Sequence, residues 1–218
     1  MPRREIRMFN TTQRFVHWLH AACFAVLAVS GLVLYAPFLQ GLAIGYAGWT
    51  TRLMHRVGAV GLALVPLVYI IFSPKAFLDS MRRIFTWSKA DLGWLRAAPA
   101  YYLLGREEAM PPQDKFNTGQ KLFYLVVVIC TFLFGISGFV MWFGKFAVPT
   151  WLFQLSVVVH DLCFIAYMAF FLVHFMLAVA HPLMKGALDG MLFGWMPEAY
   201  VRRHHAKYYE ELKGKQGA

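Results

Sequence analysis

Charged residues are scarce in this chain of 218 residues. Only 15% of the residues are charged, Asp and Glu together number 11, and 59% of the residues are apolar. A soluble domain of this size does not need so much apolar surface and would aggregate with it. The composition therefore argues against an ordinary soluble domain and favours an integral membrane protein.

Cysteine is also rare, and its three copies are isolated in apolar stretches at Cys23, Cys130 and Cys163. The sequence contains no CxxCH, the sequence that attaches haem covalently, and no run of cysteines suits an iron–sulfur cluster. It also lacks the HExxH sequence and the Cys/His clusters typical of zinc sites. Any iron–sulfur centre that acts with this chain would therefore belong to a partner.

Four apolar stretches are each long enough to cross a bilayer, which takes about 20 helical residues. They span roughly 14–37, 52–73, 119–143 and 151–181. Each is predicted to be a helix, because the backbone finds no water to bond inside the hydrocarbon. We predict one all-α domain over 1–218, an integral membrane four-helix bundle with a loop at 74–116 and a tail at 182–218.

The basic residues predict the orientation of these helices. The net charge is +10, and all but three of the 21 Lys and Arg residues lie in the N-terminal segment, between 74 and 121, or after 181. The three exceptions are Arg52, Arg56 and Lys145. The positive-inside rule therefore places both termini, the loop and the tail in the cytoplasm. This alternation along the chain also argues against a basic groove that binds nucleic acid.

Six of the eight histidines lie within or at the ends of apolar stretches, where ionisable side chains are costly and are candidates for function. They are His17, His20, His55, His160, His174 and His181. His160 and His174 are 14 residues apart, so they point to nearly the same side of one helix, about 21 Å apart along its axis. Depth in the membrane then pairs His55 with His160 near the outer face. It pairs His17 with His174 near the cytoplasm.

Two histidines on facing helices at one depth are typical of a b-type haem, whose two axial positions they fill. Such a haem transfers electrons and leaves no iron position open for oxygen. Two pairs predict two b-type haems: the outer iron is held by His55 and His160, and the inner iron by His17 and His174. One alternative is that the histidines bond only to neighbouring helices, and another is that His20 replaces His17. A third is a proton relay in a haem-free transporter or scaffold.

Two arginines precede the candidate ligands by one helical turn. Arg14 precedes His17, and Arg52 precedes His55, and positions i and i+3 share a helix face. Each arginine would lie nearer the aqueous boundary than its histidine, where haem propionates point, and a guanidinium matches a carboxylate geometrically. We predict that both arginines contact propionates. The alternative is that they only reach towards the membrane interface.

The chain resembles one known family in five features: RFVHW with SGLVLY, RLMH, KFNTGQK, the His160 and His174 pair, and RRHHAKYYEEL. Together, over almost the whole chain, they resemble the gamma subunit (cytochrome b556) of membrane-bound respiratory formate dehydrogenases. The resemblance implies a multi-pass subunit of the bacterial inner membrane. It would anchor an iron–sulfur beta subunit and a molybdenum or tungsten alpha subunit, with a higher oligomer of this heterotrimer as a further expectation.

The resemblance also implies a direction of electron flow. Electrons from formate would pass through the clusters to the outer haem, then to the inner haem, and then to menaquinone or ubiquinone near the cytoplasmic face. Formate would be oxidised by the alpha subunit and not by this chain. The residues that match the outer haem ligands are His55 and His160, and those that match the inner ligands are His17 and His174. The residues that match the segment beside the quinone are Asn117, Gly119 and Gln120.

The stretch KFNTGQK lies at the cytoplasmic start of the third helix. An amide side chain such as that of Asn117 both donates to and accepts from a quinone head group. Gly119 would allow close approach of the ring, and His174 would bond the quinone through its second nitrogen. The alternative is that Asn117 only caps the helix.

A competing enzyme class is the cytochrome b subunit of a nickel–iron hydrogenase, which also holds bis-histidine haems in a four-helix bundle. The motifs favour formate dehydrogenase over it, although the source of the electrons is not visible in this chain. The sequence assigns no role to His20, His181, Asp161 or the loop at 74–116.

Overall fold

The computed structural model describes residues 4–106 and 110–216. Residues 107–109 of the predicted loop and 217–218 of the predicted tail lie outside the described residues. The chain is almost entirely helical, which confirms the all-α class. The helices in chain order are α1 Thr11–Tyr35, α2 Gly45–Phe72, α3 Pro74–Phe85, α4 Lys89–Leu104, α5 Thr118–Phe143, α6 Thr150–Phe175, α7 Ala187–Leu192, α8 Glu198–His204 and α9 Ala206–Gln216. Two short strands, β1 Glu5–Arg7 and β2 Trp195–Pro197, pair antiparallel.

Within the described residues, four helices are long and apolar enough to cross a membrane. They are α1, α2, α5, and α6 together with the π-helical turn Met176–Ala180 that continues it. Only 11 to 17% of the residues in their most apolar windows are buried against protein. The remaining apolar side chains need lipid hydrocarbon as their environment. The protein is therefore an integral membrane protein.

The long helices begin and end close to the predicted boundaries, except at the start of α2. This helix begins at Gly45, about two turns before the predicted start at residue 52. The backbone of Gly45 has a φ of 57°, a left-handed value that favours glycine. The predicted helix started at the charged Arg52, but a charged side chain at the surface of a helix does not mark where the helix begins. The exposed Arg52 guanidinium donates to the carbonyl of Ala43 at 3.0 Å.

The segment predicted as a loop at 74–116 contains α3 and α4. The first turn of α4 is closed by a capping box in which the side chains of Ser88 and Asp91 each bond the backbone of the other. The helix ends at Gly105, which has a left-handed φ of 67°. The predicted tail likewise contains three short helices, α7, α8 and α9.

The chain divides into two compact units. Unit I consists of Thr11–Pro74 and Thr131–Phe164, and unit II of the described residues of Met1–Asn10, Lys75–Cys130 and Ile165–Ala218. That the chain forms a single domain stays a prediction. Unit I contains α1 packed along α2.

Unit II has a hydrophobic core of its own, assembled from distant parts of the chain. Its buried members are Met8, Phe9, Ile84, Phe116, Met196, Val201, Tyr208 and Tyr209. Beside this core, the Arg83 guanidinium bonds Asp114 at 2.6 Å and Glu211 at 2.9 Å. The hydrogen bonds from Arg83, and then from Lys215, lower the pKa of Glu211 to about 2. These contacts join α3 to α9, so the predicted tail is folded against the predicted loop.

Candidate haem site

His55 on α2 and His160 on α6 lie next to each other in unit I. Their ring centroids are 6.2 Å apart, and the ring planes are tilted by 50°. A metal ion between the two rings would be about 2 Å from each bonding nitrogen. These two bonds, added to the distances from each nitrogen to its ring centre, match the observed separation. The structure therefore brings together the two side chains predicted to hold the outer haem.

Each of these histidines bonds a serine on a neighbouring helix. The Nδ1 atom of His55 lies 2.9 Å from Oγ of Ser30 on α1. The Nδ1 atom of His160 lies 2.9 Å from Oγ of Ser137 on α5. Both serines are buried, with exposed fractions of 4% and 2%. Four helices thus contribute one side chain each to this arrangement.

The serines determine which nitrogen of each imidazole carries the proton. The hydroxyl of Ser30 donates to the carbonyl of Val26 at 2.6 Å, and that of Ser137 donates to the carbonyl of Leu133 at 2.6 Å. A hydroxyl has one proton, so each serine oxygen must accept the bond from its histidine. Nδ1 is therefore the protonated nitrogen, and Nε2 keeps the lone pair that a metal requires.

Gly31, next to Ser30, leaves room for the His55 imidazole, whereas a side chain at Gly138 would make only ordinary contact with His160. A Cβ atom at Gly31 would lie 3.3 Å from Cε1 of His55, tighter than ordinary van der Waals contact, and one at Gly138 would lie 3.6 Å from Cε1 of His160. The ring of Phe134 packs edge-on against His160 with centroids 4.7 Å apart. Packing on α1 and α5 therefore holds both imidazoles in place.

The serines belong to an internal repeat of the sequence. FNTTQR (9–14) and FNTGQK (116–121) stand at the starts of α1 and α5, and SGLVLY (30–35) and SGFVMW (137–142) stand near their ends. The offset along the chain is the same for both pairs of segments. Parallel repeats of this kind occur in membrane proteins. A comparison of the chain with itself would have identified Ser30 and Ser137.

The predicted inner pair is divided between the two units. His17 lies in unit I, where its ring meets Trp18 edge-on at 5.1 Å, and His174 lies in unit II. The His174 ring stacks on Phe123 of α5 with centroids 4.9 Å apart. The pairing of His17 with His174 stays a prediction, as do the propionate contacts of Arg14 and Arg52.

Asn117 and Gln120 form a capping box at the start of α5. Oδ1 of Asn117 accepts from the backbone N–H of Gln120 at 2.9 Å, and Oε1 of Gln120 accepts from the backbone N–H of Asn117 at 2.9 Å. The capping role considered for Asn117 is therefore present in the structure. The cap uses the amide oxygens and leaves the amide N–H groups available as donors.

Gly119 was expected to leave open space into which a quinone ring could approach, and in the structure a side chain packs next to this glycine. A Cβ atom at this position would lie 2.8 Å from the indole of Trp94. The small size of Gly119 thus serves the packing of α4 on α5, and its place beside a quinone stays a prediction. Asn117 lines a pocket in unit II with aromatic and basic walls, which include Trp94, Tyr101, Tyr102, Arg203 and His204.

Three further histidines have specific partners in unit II. Nε2–H of His181 donates to the carbonyl of Tyr102 at 3.0 Å, and its Nδ1 accepts from the backbone N–H of Leu183 at 3.3 Å. His205 donates from Nδ1 to the carbonyl of Asp114 at 2.9 Å. His204 bonds the Tyr101 hydroxyl at 3.1 Å. Burial, and then the charges of His205 and Arg203, lower the pKa of His204 to about 4.

The geometry in unit I fits a haem and not a bare metal ion. Among residues 4–106 and 110–216, no group of three or more His, Cys, Asp or Glu side chains is placed to hold a metal ion. Two neutral imidazoles with their Nε2 lone pairs available match axial ligation, in which the porphyrin supplies the remaining ligands. The four apolar helices and this histidine pair are the features of a membrane cytochrome of the b type.

Comparison with known proteins agrees with this class. The chain belongs to the prokaryotic cytochrome b561 family, whose model matches residues 8–194. It is similar to the cytochrome b556(Fdn) subunit of the nitrate-inducible formate dehydrogenase of Escherichia coli strain K12, with 25% identity over 202 residues. That match covers 92% of this chain and 88% of the relative.

Two other relatives extend the same similarity. The cytochrome b556(fdo) subunit of formate dehydrogenase from E. coli strain K12 is 26% identical over 220 residues, covering 98% of this chain and 96% of the relative. The formate dehydrogenase cytochrome b556 subunit of Haemophilus influenzae is 24% identical over 213 residues, with 93% and 81% covered. The resemblance inferred from the sequence motifs is confirmed.

Proposed function

We propose that this chain is the di-haem b membrane subunit of a respiratory formate dehydrogenase, which passes electrons to a quinone. Its partners would be an iron–sulfur subunit and a molybdenum or tungsten subunit that oxidises formate. Support comes from the relatives, which are named as formate dehydrogenase subunits and match this chain over nearly its whole length. The b-type haem follows from membership of the family.

The observation that carries the proposal is the His55 and His160 pair. Their centroids are 6.2 Å apart, and the serine bonds leave Nε2 of each ring free to bind iron. A b-type haem held at both axial positions takes up and releases single electrons. The residues of this chain hold the imidazoles in one tautomer, because the buried Ser30 and Ser137 each bond one Nδ1 atom.

A second haem, held by His17 and His174, is proposed from the spacing of the histidines in the sequence. The distribution of basic residues supports an orientation with both termini in the cytoplasm. In that orientation, His55 and His160 belong to the outer half of the membrane. Arg14 and Arg52 are proposed to contact the propionates of the two haems.

The quinone is proposed to bind beside the start of α5. The amide N–H groups of Asn117 and Gln120 are donors that a quinone oxygen accepts from, and the capping box keeps these side chains in fixed positions. His174 lies against Phe123, one helical turn beyond Gln120, and would complete the site from α6. Gly119 is proposed to border the same site.

The substitution Asn117→Asp separates the two roles of this residue. Aspartate keeps the oxygen that caps α5 but loses the N–H donor and adds a negative charge. If Asn117 holds the quinone, one quinone oxygen is left without a donor, at a cost of about 1–3 kcal/mol. We expect haem content and haem reduction by formate to be normal in the complex, and reoxidation by a menaquinone analogue to slow by roughly tenfold.

Stopped-flow spectroscopy measures haem reduction and reoxidation in the same sample. Asn10→Asp is the matched control, because Asn10 occupies the corresponding position of the repeat before α1. Gln120→Glu provides a second test of the same kind. Reoxidation at the wild-type rate in both Asn117→Asp and Gln120→Glu would show that KFNTGQK serves only as a helix cap.

The proposed orientation predicts that turnover generates a membrane potential. Electrons taken from formate outside move inwards to the quinone, while the protons for the quinol come from the cytoplasm. Each charge moved against 100 mV corresponds to about 2.3 kcal/mol. We expect proteoliposomes of the complex to become charged, negative on the cytoplasmic side, when formate and quinone are supplied. Quinone reduction without any potential, in vesicles shown to be free of leaks, would contradict the orientation.

A further inference from the structure

Ser30 and Ser137 are placed to affect the haem site through the histidines that they bond. Each accepts from the Nδ1–H of one imidazole at 2.9 Å, and each donates its own proton to a carbonyl of its own helix at 2.6 Å. A hydroxyl that donates in this way becomes a stronger acceptor, because linked hydrogen bonds polarise one another. The same chain of bonds thus occurs twice, once in each half of the repeat.

Bonds of this kind change the electronic character of a ligand. When Nδ1–H donates to an acceptor, the imidazole becomes more basic and gives more electron density to the metal. Ferric iron, with its higher charge, is stabilised more than ferrous iron. The reduction potential of the haem therefore falls, and removal of the acceptor is expected to raise it.

We propose that Ser30 and Ser137 are positioning residues that fix the iron-binding tautomer of His55 and His160 and lower the reduction potential of the haem between them. This inference rests on the proposed function, in which these two histidines are the axial ligands. A lower potential at this haem favours electron flow onwards to an acceptor of higher potential. Gly31 supports the arrangement, because a Cβ atom there would crowd the His55 ring beside its serine.

The test compares alanine substitutions at three buried serines. Ser156 lies on α6, is 6% exposed and donates to the carbonyl of its own helix, Leu152, at 2.9 Å. Like Ser30 and Ser137, it donates to a carbonyl of its own helix. Among the described residues, however, no hydrogen bond joins it to a histidine. We expect Ser30→Ala and Ser137→Ala each to raise the reduction potential of the haem between His55 and His160. The reduction potential of the second haem is expected to stay unchanged. The double variant is expected to show the larger rise, and Ser156→Ala none.

Redox titration of the purified complex, followed by haem absorbance and low-spin electron paramagnetic resonance, gives the required readouts. Haem affinity is expected to fall by roughly tenfold or more in the alanine variants, as for other partners of metal-bound histidines. If Ser30→Ala retains too little haem, Ser30→Thr and Ser30→Val are compared in both haem content and potential, since these side chains have the same shape and differ in the hydroxyl. Threonine is expected to keep the wild-type potential, and valine to raise it.

The outcomes separate this inference from the proposed function. Unchanged potentials and spectra in Ser30→Ala, Ser137→Ala and Ser30→Val, with both haems present, would overturn the role of the serines and leave the ligands standing. Equal shifts in Ser30→Thr and Ser30→Val would also overturn it, because packing and not the hydroxyl would then be the cause. Retention of both haems in His55→Ala would instead overturn the haem site itself.

Discussion

Replacing either His55 or His160 with alanine is expected to remove one of two haems and to leave the other in place. The two imidazoles lie on either side of one position, with centroids 6.2 Å apart. Loss of one leaves the iron with a single protein ligand. His17→Ala and His174→Ala are expected to remove the second haem and keep the first. Pyridine haemochrome content relative to protein gives the number of haems directly.

His181→Ala is the matched control for these variants. Both nitrogens of His181 are engaged, with the carbonyl of Tyr102 and the backbone N–H of Leu183. Because neither nitrogen is available to iron, we expect this variant to keep both haems. His20→Ala tests the alternative ligand and is also expected to keep both. A full complement of two haems in any one of the four ligand variants would show that the pairing is wrong.

Replacing Lys121 with methionine is expected to destabilise unit II by about 3–5 kcal/mol, the usual cost of removing one partner from a buried ion pair. Nζ of Lys121 lies 2.8 Å from Oδ1 of Asp91, and the two side chains are 6% and 4% exposed. The same carboxylate accepts from the Thr118 hydroxyl at 2.8 Å. The substitution would leave the Asp91 carboxylate buried without its cation.

Unfolding of the purified protein in detergent, followed by circular dichroism, measures this effect. The matched control is Lys213→Met, because Lys213 and Glu210 are 4.0 Å apart with 57% and 70% of their side chains exposed. An exposed pair contributes up to about 1 kcal/mol. The double variant Asp91→Asn with Lys121→Met is expected to be more stable than the sum of the single effects. Equal losses at Lys121 and Lys213 would contradict a structural role for the buried pair.

The stabilisation by Asp91 depends on pH. Burial raises the pKa of this carboxyl, but the hydrogen bonds from Lys121, Thr118 and Ser88 outweigh burial and hold the pKa below its usual value. A carboxyl with a lowered pKa stabilises the folded state above its unfolded pKa, about 3.9. That contribution is lost as the pH falls through the folded pKa. We therefore expect the difference between the wild type and Lys121→Met to be largest near neutral pH and to shrink under acid.

The predicted haem ligands illustrate how much of the site the sequence could predict. His55 and His160 were predicted as partners from helix depth alone, and the structure brings their rings together. The serines were missed, because a serine in an apolar helix has no pattern that identifies it as a hydrogen-bond acceptor. Their repeated position was visible in the sequence, but their bonds to the imidazoles depend on which helices are neighbours.

The start of α5 shows both a contact that local sequence indicated and a contact that it did not. The capping of α5 by Asn117 was considered from local sequence, and it is local chemistry, since the bonds join residues three positions apart. The partner of Lys121 was not predicted. Asp91 is 30 positions earlier in the chain and belongs to a segment expected to be a loop. The contact of the Trp94 indole with Gly119 was likewise not predicted, and the place of Gly119 beside a quinone stays a prediction.

The sequence by itself determined the features that follow from local composition and periodicity. Long apolar stretches can satisfy their backbone in a membrane only as helices, so the number of spans and the all-α class were fixed without tertiary information. The tertiary structure decided the serine bonds that set the tautomers of His55 and His160, the ion pair of Asp91 with Lys121, and the packing of the polar tail against α3 and α4. These contacts join side chains far apart in the chain, and their strength comes from burial, which only the folded arrangement of the helices creates.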